Sequence, residues 1–282
     1  MKQSFINLDI DDSFKMDINN LIENAKKFIF TCECKSKEFK LTPKSETSAY
    51  ALLFAILTLS LLGEDEYLEK NKNIFDQKIR NNLHFFYNYS LENNIEFEYD
   101  KPFLQLLSFS FSCLEILNTL KFNPISNIVE NIFCNNTVSE YLNIFGSFEC
   151  RPRSGNMSMF LAIALEHKRK YLSINTSNNI EEWIDLHLKS INKNGFWGNP
   201  LTKPYLQFQN GYHQYEILRY FDMSGDYWEL AANHILKLKD NNSKFAPYPG
   251  GGGCFDLDAI FFLTNKYVSG KKYIEFSESY FK

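Results

Sequence analysis

Apolar residues in this chain recur with the spacing of α-helices, and no segment alternates apolar and polar residues as a half-buried β-strand does. Five segments are apolar over most of their length, and a helix of that kind is buried on all sides. These segments cover residues 46–62, 103–119, 155–168, 207–221 and 254–265. The pattern therefore predicts an all-α protein with five buried helices.

Amphipathic segments alternate with the apolar ones, and an amphipathic helix buries one face while it exposes the other. They cover residues 15–30, 65–90, 125–145, 179–192 and 226–238, and a short segment ends the chain. The 125–145 segment is mixed in character and is expected to be broken. An inner ring of apolar helices inside an outer ring of amphipathic helices accounts for the alternation. We therefore predict one domain over residues 1–282, a single α/α toroid of about five helical hairpins.

An internal repeat supports this architecture. Residues 209–221 match residues 252–265 loosely, and in this register His213 falls on Asp256. The earlier apolar segments share the pattern but not the individual residues. The repeat therefore favours a fold built from similar helical units.

The composition suits a globular protein and restricts its partners. Of the 282 residues, 44% are hydrophobic, and the net charge of −4 disfavours a general nucleic-acid binder, which needs a surplus of Lys and Arg. There is no run of about 18 apolar residues, so we expect no membrane span. The N-terminus lacks the apolar core of an export signal and the six cysteines lack a disulfide spacing, so we predict a cytoplasmic protein with free thiols. Cys113 and Cys134 lie among apolar residues and are expected to be buried.

A glycine-rich loop precedes the last apolar helix, and polar residues follow it directly. The sequence Gly252-Gly253-Cys254-Phe255-Asp256-Leu257-Asp258-Ala259 is similar to the motif Gly-Gly-x-x-x-Asp-x-x-Ala. That motif opens inner helices in the superfamily of terpenoid cyclases and protein prenyltransferases, and the segment 46–53 is similar to it more distantly. The chain thus resembles this superfamily, and the resemblance implies an α/α toroid with a ligand site at the mouth of the ring.

Inner helices of a toroid run in the same direction, so their N-termini meet at one face, where helix dipoles favour anions. Polar residues at these N-termini form the candidate site. The predicted ligand-binding residues are Glu46, Arg153, Asn156, Gln209, Tyr212, Tyr215 and Cys254, and the predicted catalytic residues are Asp256, Asp258 and His213. One aspartate would be the acid, His213 the partner base, and Arg153 would hold an anionic group. Helix capping alone is the competing explanation for each aspartate.

Two catalytic motifs of the superfamily are matched only in part. In class II cyclases the motif Asp-x-Asp-Asp supplies the acid from its middle position, which Asp258 would occupy, but Ala259 replaces the last aspartate. Prenyltransferases bind zinc with Asp-x-Cys and a downstream histidine, whereas Cys254 precedes Asp256 here and His213 lies upstream. We therefore predict no bound metal and no cofactor.

The other histidines are expected at the surface, because they lie late in helices, where a positive charge suits the helix dipole. They are His84, His167, His187 and His234.

Three functions are open. The first, implied by the resemblance, is a cytoplasmic enzyme that performs acid–base chemistry on a small or isoprenoid-like ligand in the mouth of the toroid. The second is a carbohydrate-active lyase or hydrolase acting on an anionic glycan, in a groove lined by aromatic residues such as Trp197, Tyr205, Phe208 and Tyr248. The third is a non-catalytic binding scaffold, in which the polar residues are satisfied helix caps. The oligomeric state is open as well.

Overall fold

The protein is all-α in a computed structural model, which describes residues 12–121, 125–241, 244–246 and 253–269, with side chains from residue 17 onward. Within these ranges there are eleven α-helices and no strand, apart from two isolated bridges. The helices are α1 (Asp12–Thr31), α2 (Ala49–Leu61), α3 (Asp65–Glu92), α4 (Lys101–Ile116), α5 (Ser126–Val129), α6 (Val138–Phe145), α7 (Ser154–Tyr171), α8 (Ser177–Lys189), α9 (Pro204–Tyr220), α10 (Tyr227–Leu236) and α11 (Cys254–Leu263). The predicted all-α class is confirmed.

Each predicted helical segment coincides with a helix, and the mixed segment 125–145 is broken into α5 and α6, as expected. The short segment at the end of the chain and most of the glycine-rich loop lie outside the described residues. The start of α2 differs from the prediction by three residues. Ser48 is the N-cap and its hydroxyl accepts a hydrogen bond of 3.1 Å from the amide of Ala51, so Glu46 lies ahead of the helix.

Contacts between Cα atoms divide the chain into two compact units. The first spans Met1–Ile95 and Gln105–Ile125, and the second spans Glu96–Leu104 and Ser126–Lys282, so α4 contributes its first turn to the second unit and the rest to the first. In the first unit, α2 packs against α3 and against the later turns of α4. The thiol of Cys113 donates to the carbonyl of Leu53 at 3.4 Å, and Phe54 meets Phe109 edge to face.

Three apolar helices of the second unit run in the same direction. Along α7 and α9, Gly155 lies against Asn210 and Glu166 accepts a hydrogen bond of 3.0 Å from the hydroxyl of Tyr220. Early residues therefore meet early residues, and late residues meet late ones.

The helices α9 and α11 are related in the same way. The ring of Phe208 lies 6.3 Å from that of Phe255, and one to two turns later the ring of Tyr215 lies 4.8 Å from that of Phe262. These aromatic residues are buried and form much of the core beside α11.

Amphipathic helices of the second unit pack antiparallel to the apolar ones. The indole N–H of Trp183 in α8 donates to the carbonyl of Ser158 at 3.0 Å, and the hydroxyl of Thr176, which precedes α8, donates to the carbonyl of Leu165 at 2.8 Å. The helix α10 runs back along α9, with Trp228 against Tyr215. Helical hairpins are thus the building blocks of this unit.

Gly155 marks a close approach between α7 and α9. A Cβ atom at this position would lie 1.9 Å from the carbonyl oxygen of Asn210, far inside van der Waals contact. The amide of Gly155 also donates to the side-chain oxygen of Asn210 at 3.3 Å. The absence of a side chain at this position is what allows α7 and α9 to pack at this distance.

Candidate functional site

Asp258 is a buried carboxyl group in the second turn of α11, with only 8% of its surface exposed. Burial, followed by the negative charge of Glu216 on α9, raises the pKa of Asp258 to about 7. In the described part of the chain no hydrogen bond or ion pair engages its side chain. The local sequence explains the position, since Phe255, Ala259 and Phe262 anchor α11 in the core and carry Asp258 inward with them.

Glu216 is the centre of a small polar network on the facing side of α9. Its Oε1 accepts a hydrogen bond of 3.1 Å from the hydroxyl of Tyr212, and its Oε2 lies 3.2 Å from Nδ1 of His213. These residues are three and four positions before Glu216, so one turn of α9 presents all of them on one face. Tyr212, His213, Glu216 and Asp258 are called the Asp258 cluster below.

The tyrosine of the cluster experiences the same electrostatic field. Burial, then the charges of Glu216 and Asp258, raise the pKa of Tyr212 far above its ordinary value, so its hydroxyl keeps its proton and donates. The centroid of the Phe261 ring lies 5.1 Å from that of the Tyr212 ring. The guanidinium of Arg219 lies over the ring of Phe261, 4.9 Å from its centroid. The cluster therefore combines a carboxyl group with a raised pKa, a second carboxyl group that contacts Tyr212 and His213, and an aromatic wall.

Glu216 is absent from the residues predicted from the sequence. The spacing Tyr212, His213, Glu216 was the available signal, because a carboxylate three or four residues after a histidine and a tyrosine shares their helix face. What the sequence does not contain is the register of α9 against α11, which brings Asp258 to the same place.

Asp256 has quite different surroundings from Asp258, although both are buried on the same helix. Its Oδ1 accepts a hydrogen bond of 3.0 Å from the amide of Phe245, and its Oδ2 lies 3.4 Å from the ammonium of Lys244. The carboxylate thus fastens the preceding loop to the start of α11. This geometry favours a structural role for Asp256.

Tyr215 lies away from His213 and belongs to the core. Its hydroxyl lies within hydrogen-bond distance of the carbonyl oxygens of Gly195 and Tyr227, and its side chain is completely buried. The geometry of α9 explains the separation, because residues two positions apart, such as 213 and 215, point to opposite sides of a helix.

Arg153 and Asn156 lie at the start of α7. Arg153 is exposed and occupies the N-cap position with a φ of 72°. Burial, followed by the positive charge of Arg153, lowers the pKa of Lys101. In the described residues neither cation has a carboxylate partner. Asn156 is half-buried, and the hydroxyl of Ser154 is buried with no hydrogen-bond partner in the described structure. Two cations beside a helix N-terminus make this a suitable position for a negatively charged group.

The other predicted ligand-binding residues are exposed. Gln209 and Cys254 are exposed on α9 and α11. Glu46 is exposed in the first unit, ahead of α2.

The expectation that four histidines lie at the surface is wrong for His167 and His187, which are buried. The ring of His187 stacks on Trp183 with 3.5 Å between centroids, and its Nδ1 lies 2.7 Å from the carbonyl of Trp183. Burial lowers the pKa of His187 to about 3 and that of His167 to about 4. Both imidazoles are therefore neutral core groups, and the spacing of Trp183 and His187 by one helical turn was a sign of the inward face.

Two of the aromatic residues expected to line a glycan groove are also core residues. Trp197 is 1% exposed and donates its indole N–H to the carbonyl of His187 at 2.9 Å, and Phe208 is fully buried. Neither can stack on a ligand. Tyr248 lies outside the described residues.

No group of three or more His, Cys, Asp or Glu side chains in the described ranges is arranged to hold a metal ion. None of the described helices has the length and apolar character needed to cross a membrane. Comparison of the chain with protein-family models, with curated proteins and with solved structures finds no match.

Proposed function

We propose that this protein is an acid–base enzyme in which Asp258 is the general acid, built on an α/α toroid similar to the terpenoid-cyclase and prenyltransferase superfamily. The observation that carries the proposal is the raised pKa of the Asp258 carboxyl group together with its lack of a hydrogen-bond or ion-pair partner in the described residues. A carboxyl group with a pKa of about 7 is half protonated near neutral pH, and it has no structural partner in the described residues. Groups tuned in this way are common in active sites, because a general acid works best when its pKa is close to the working pH.

The cluster supplies a role for each neighbour. Asp258 would donate its proton to the ligand, and the resulting carboxylate would be repelled by Glu216, which favours recapture of a proton. His213 would act as the base that accepts a proton from the ligand or returns one through Glu216. Tyr212 orients Glu216 with its hydroxyl, so it is a positioning residue.

The ligand we propose is a small, isoprenoid-like molecule with an anionic group. The rings of Tyr212 and Phe261 border the acid, and aromatic faces stabilise a positive charge that develops when an alkene is protonated. Arg153 at the start of α7 and Lys101 at the start of α4 would bind the anionic end. In this proposal the parallel helices α7, α9 and α11 are part of the inner ring of the toroid.

The glycan alternative has one observation in its favour and one against it. A pair of carboxyl groups is the usual equipment of glycoside hydrolysis, and Asp258 and Glu216 form such a pair. The buried positions of Trp197 and Phe208, however, remove two of the aromatic residues that would have bound sugar rings. The scaffold alternative fits Asp256, which is fully engaged, but gives no reason for Asp258.

The test begins with the carboxyl group itself. In protein labelled with carbon-13 at the aspartate carboxyl, we expect one resonance to titrate close to neutral pH and to be missing in Asp258→Asn. The wild type, Asp258→Asn and an exposed control, Asp185→Asn, are then incubated with polyprenyl diphosphates, a linear polyene, aryl glycosides and a polyuronate, and products are identified by mass spectrometry.

Turnover of an isoprenoid by the wild type and the control, but not by Asp258→Asn, would support the proposal. It fails if every aspartate titrates at ordinary acidic pH, or if Asp258→Asn forms the same product at the same rate. Turnover of a glycan alone would instead select the carbohydrate alternative.

A further inference from the structure

Lys168 is a buried lysine near the end of α7, with 5% of its surface exposed. Its ammonium donates to the carbonyl of Ile132 at 2.6 Å and lies 3.4 Å from the carbonyl of Glu130. Both carbonyls follow α5 directly. No carboxylate lies within ion-pair distance of this ammonium in the described part of the chain, and a buried charge without a counter-charge is unusual.

Among the described residues, the group able to carry a negative charge that lies nearest this ammonium is the thiol of Cys134. Its Sγ lies 3.2 Å from Nζ of Lys168, and its proton is directed at the carbonyl of Glu130, 2.7 Å away. The expectation that Cys134 is buried is wrong, because the residue is exposed. The polar turn after α5 holds the side chain at the surface, while Lys168 approaches it from the interior.

These positions satisfy the two conditions for a reactive cysteine, namely a positive charge beside the sulfur and access from solvent. The ammonium of Lys168 supplies the positive charge, in contact with the sulfur from the interior side. Buried cysteines such as Cys113 and Cys150 lack this access to solvent.

We infer that Cys134 is a site of oxidative modification, at which Lys168 stabilises the thiolate and the substrate is a small peroxide. The sulfur attacks one peroxide oxygen, an S–O bond forms and the O–O bond breaks. Sulfur is oxidised by two electrons and the peroxide is reduced, and the leaving hydroxide takes the proton that the thiol released, which gives sulfenic acid and water. Lys168 is a positioning residue and takes no part in bond formation.

A purely structural role for Lys168 is the competing explanation, because a lysine that donates to carbonyls at the end of a helical turn also stabilises that turn. The two roles predict different results. Removal of a structural lysine lowers stability without changing the chemistry of Cys134, whereas removal of a positioning lysine slows that chemistry.

The experiment compares two exposed cysteines in the same molecule. Native full-length protein is treated with limiting iodoacetamide, and the alkylation of Cys134 and Cys254 is followed by peptide mass spectrometry. We expect Cys134 to react about tenfold faster at neutral pH, and this ratio to fall to near one in Lys168→Met but to persist in Lys168→Arg, which keeps the charge. Sulfenic acid formed by hydrogen peroxide and trapped with dimedone should follow the same order.

The wild-type ratio alone can overturn the inference, so it does not depend on the folding of a variant. Equal rates at the two cysteines, or trapping with dimedone at Cys254 and not at Cys134, would do so. A ratio that is unchanged in a folded Lys168→Met protein would leave Lys168 with a structural role only, and would also contradict the inference.

Discussion

Asp256 and Asp258 are two residues apart on one helix, yet their carboxyl groups have different partners. A backbone amide and a lysine engage Asp256, whereas Asp258 has burial and the negative charge of Glu216. The difference arises because the first residue of the pair faces the preceding loop and the second faces α9. The chemistry of a residue is therefore decided by the element it faces as much as by its own type.

The raised pKa of Asp258 makes the stability of the protein depend on pH. Between pH 3.8, the ordinary pKa of an aspartate, and a pH of about 7, Asp258 keeps its proton in the folded state but has lost it in the unfolded chain. Its contribution therefore destabilises the fold increasingly as pH rises through this window. We expect Asp258→Asn to be more stable than the wild type at neutral pH, by up to about 4 kcal/mol, and the difference to vanish near pH 4. Urea unfolding of both proteins across this range measures it.

Asp258→Ala provides the control for this prediction. The N-cap of α11 is Gly253 and Asp258 lies in the second turn, so Asp258 is not a helix cap, and the Ala variant, which also lacks the carboxyl group, should show the same dependence of stability on pH as the Asn variant. A stability difference between wild type and Asp258→Asn that does not change with pH would contradict the raised pKa.

His187 is expected to have the opposite effect on stability. Its folded-state pKa of about 3 lies below the ordinary value of 6.5, so acid protonates the unfolded chain first and stability is lost as pH falls through that window. In His187→Phe, which retains a ring against Trp183, this part of the acid sensitivity should disappear. At about pH 4.5 we expect the variant to gain roughly 2 kcal/mol relative to the wild type, compared with pH 7. Equal acid sensitivity of the two proteins would be the contrary result.

At the level of helices, the sequence predicts much of what the structure contains. The apolar periodicity locates each helix to within a few residues, because burial of one face or of all faces leaves a direct trace in the pattern. The details of helix packing leave a weaker trace. The start of α2 depends on one hydroxyl of Ser48, and the pairing of Glu216 with Asp258 depends on how two helices are placed side by side.

The contact at Gly155 gives a prediction at this level. In an ordinary helix Gly→Ala raises stability by up to about 1 kcal/mol. At position 155 the added methyl group would collide with the backbone of Asn210, so we expect Gly155→Ala to lower the free energy of unfolding by more than about 2 kcal/mol. Chemical denaturation followed by circular dichroism provides the measurement.

Gly63 is a suitable comparison, because no atom lies within 4 Å of the position a Cβ would take and its φ is +77°. Ala at this position should lower stability by about 1 kcal/mol through backbone strain alone. If Gly155→Ala proves as mild as Gly63→Ala, the close packing of α7 and α9 is contradicted.

For the molecule as a whole, the sequence predicts the helical class correctly, and the ring of helices is part of the proposed function. Single helices follow from local patterns, but whether helices close into a ring depends on the paths of the loops between them, which periodicity does not encode. The grouping of the residues predicted from the sequence depends on helix packing in the same way. Tyr212, His213 and Asp258 lie around one added residue, Glu216, while Tyr215 belongs to the core.

Metal content is a property of the whole chain that can be measured directly. Of the potential zinc ligands near α11, Asp256 is occupied by Lys244 and the amide of Phe245. We therefore expect elemental analysis of protein purified without chelators to find well under one zinc per chain. Stoichiometric zinc that is lost in Cys254→Ser would contradict this and would favour chemistry similar to that of the prenyltransferases.

The three tryptophans of the chain, Trp183, Trp197 and Trp228, are all buried and all belong to the second unit. Intrinsic tryptophan emission therefore senses the melting of that unit alone, whereas ellipticity at far-ultraviolet wavelengths senses helices in both. Superimposable melting curves from the two signals would mean that the chain unfolds as one cooperative body. If part of the ellipticity is lost while the emission is still native, the first unit melts on its own, and the protein has two separable foldons.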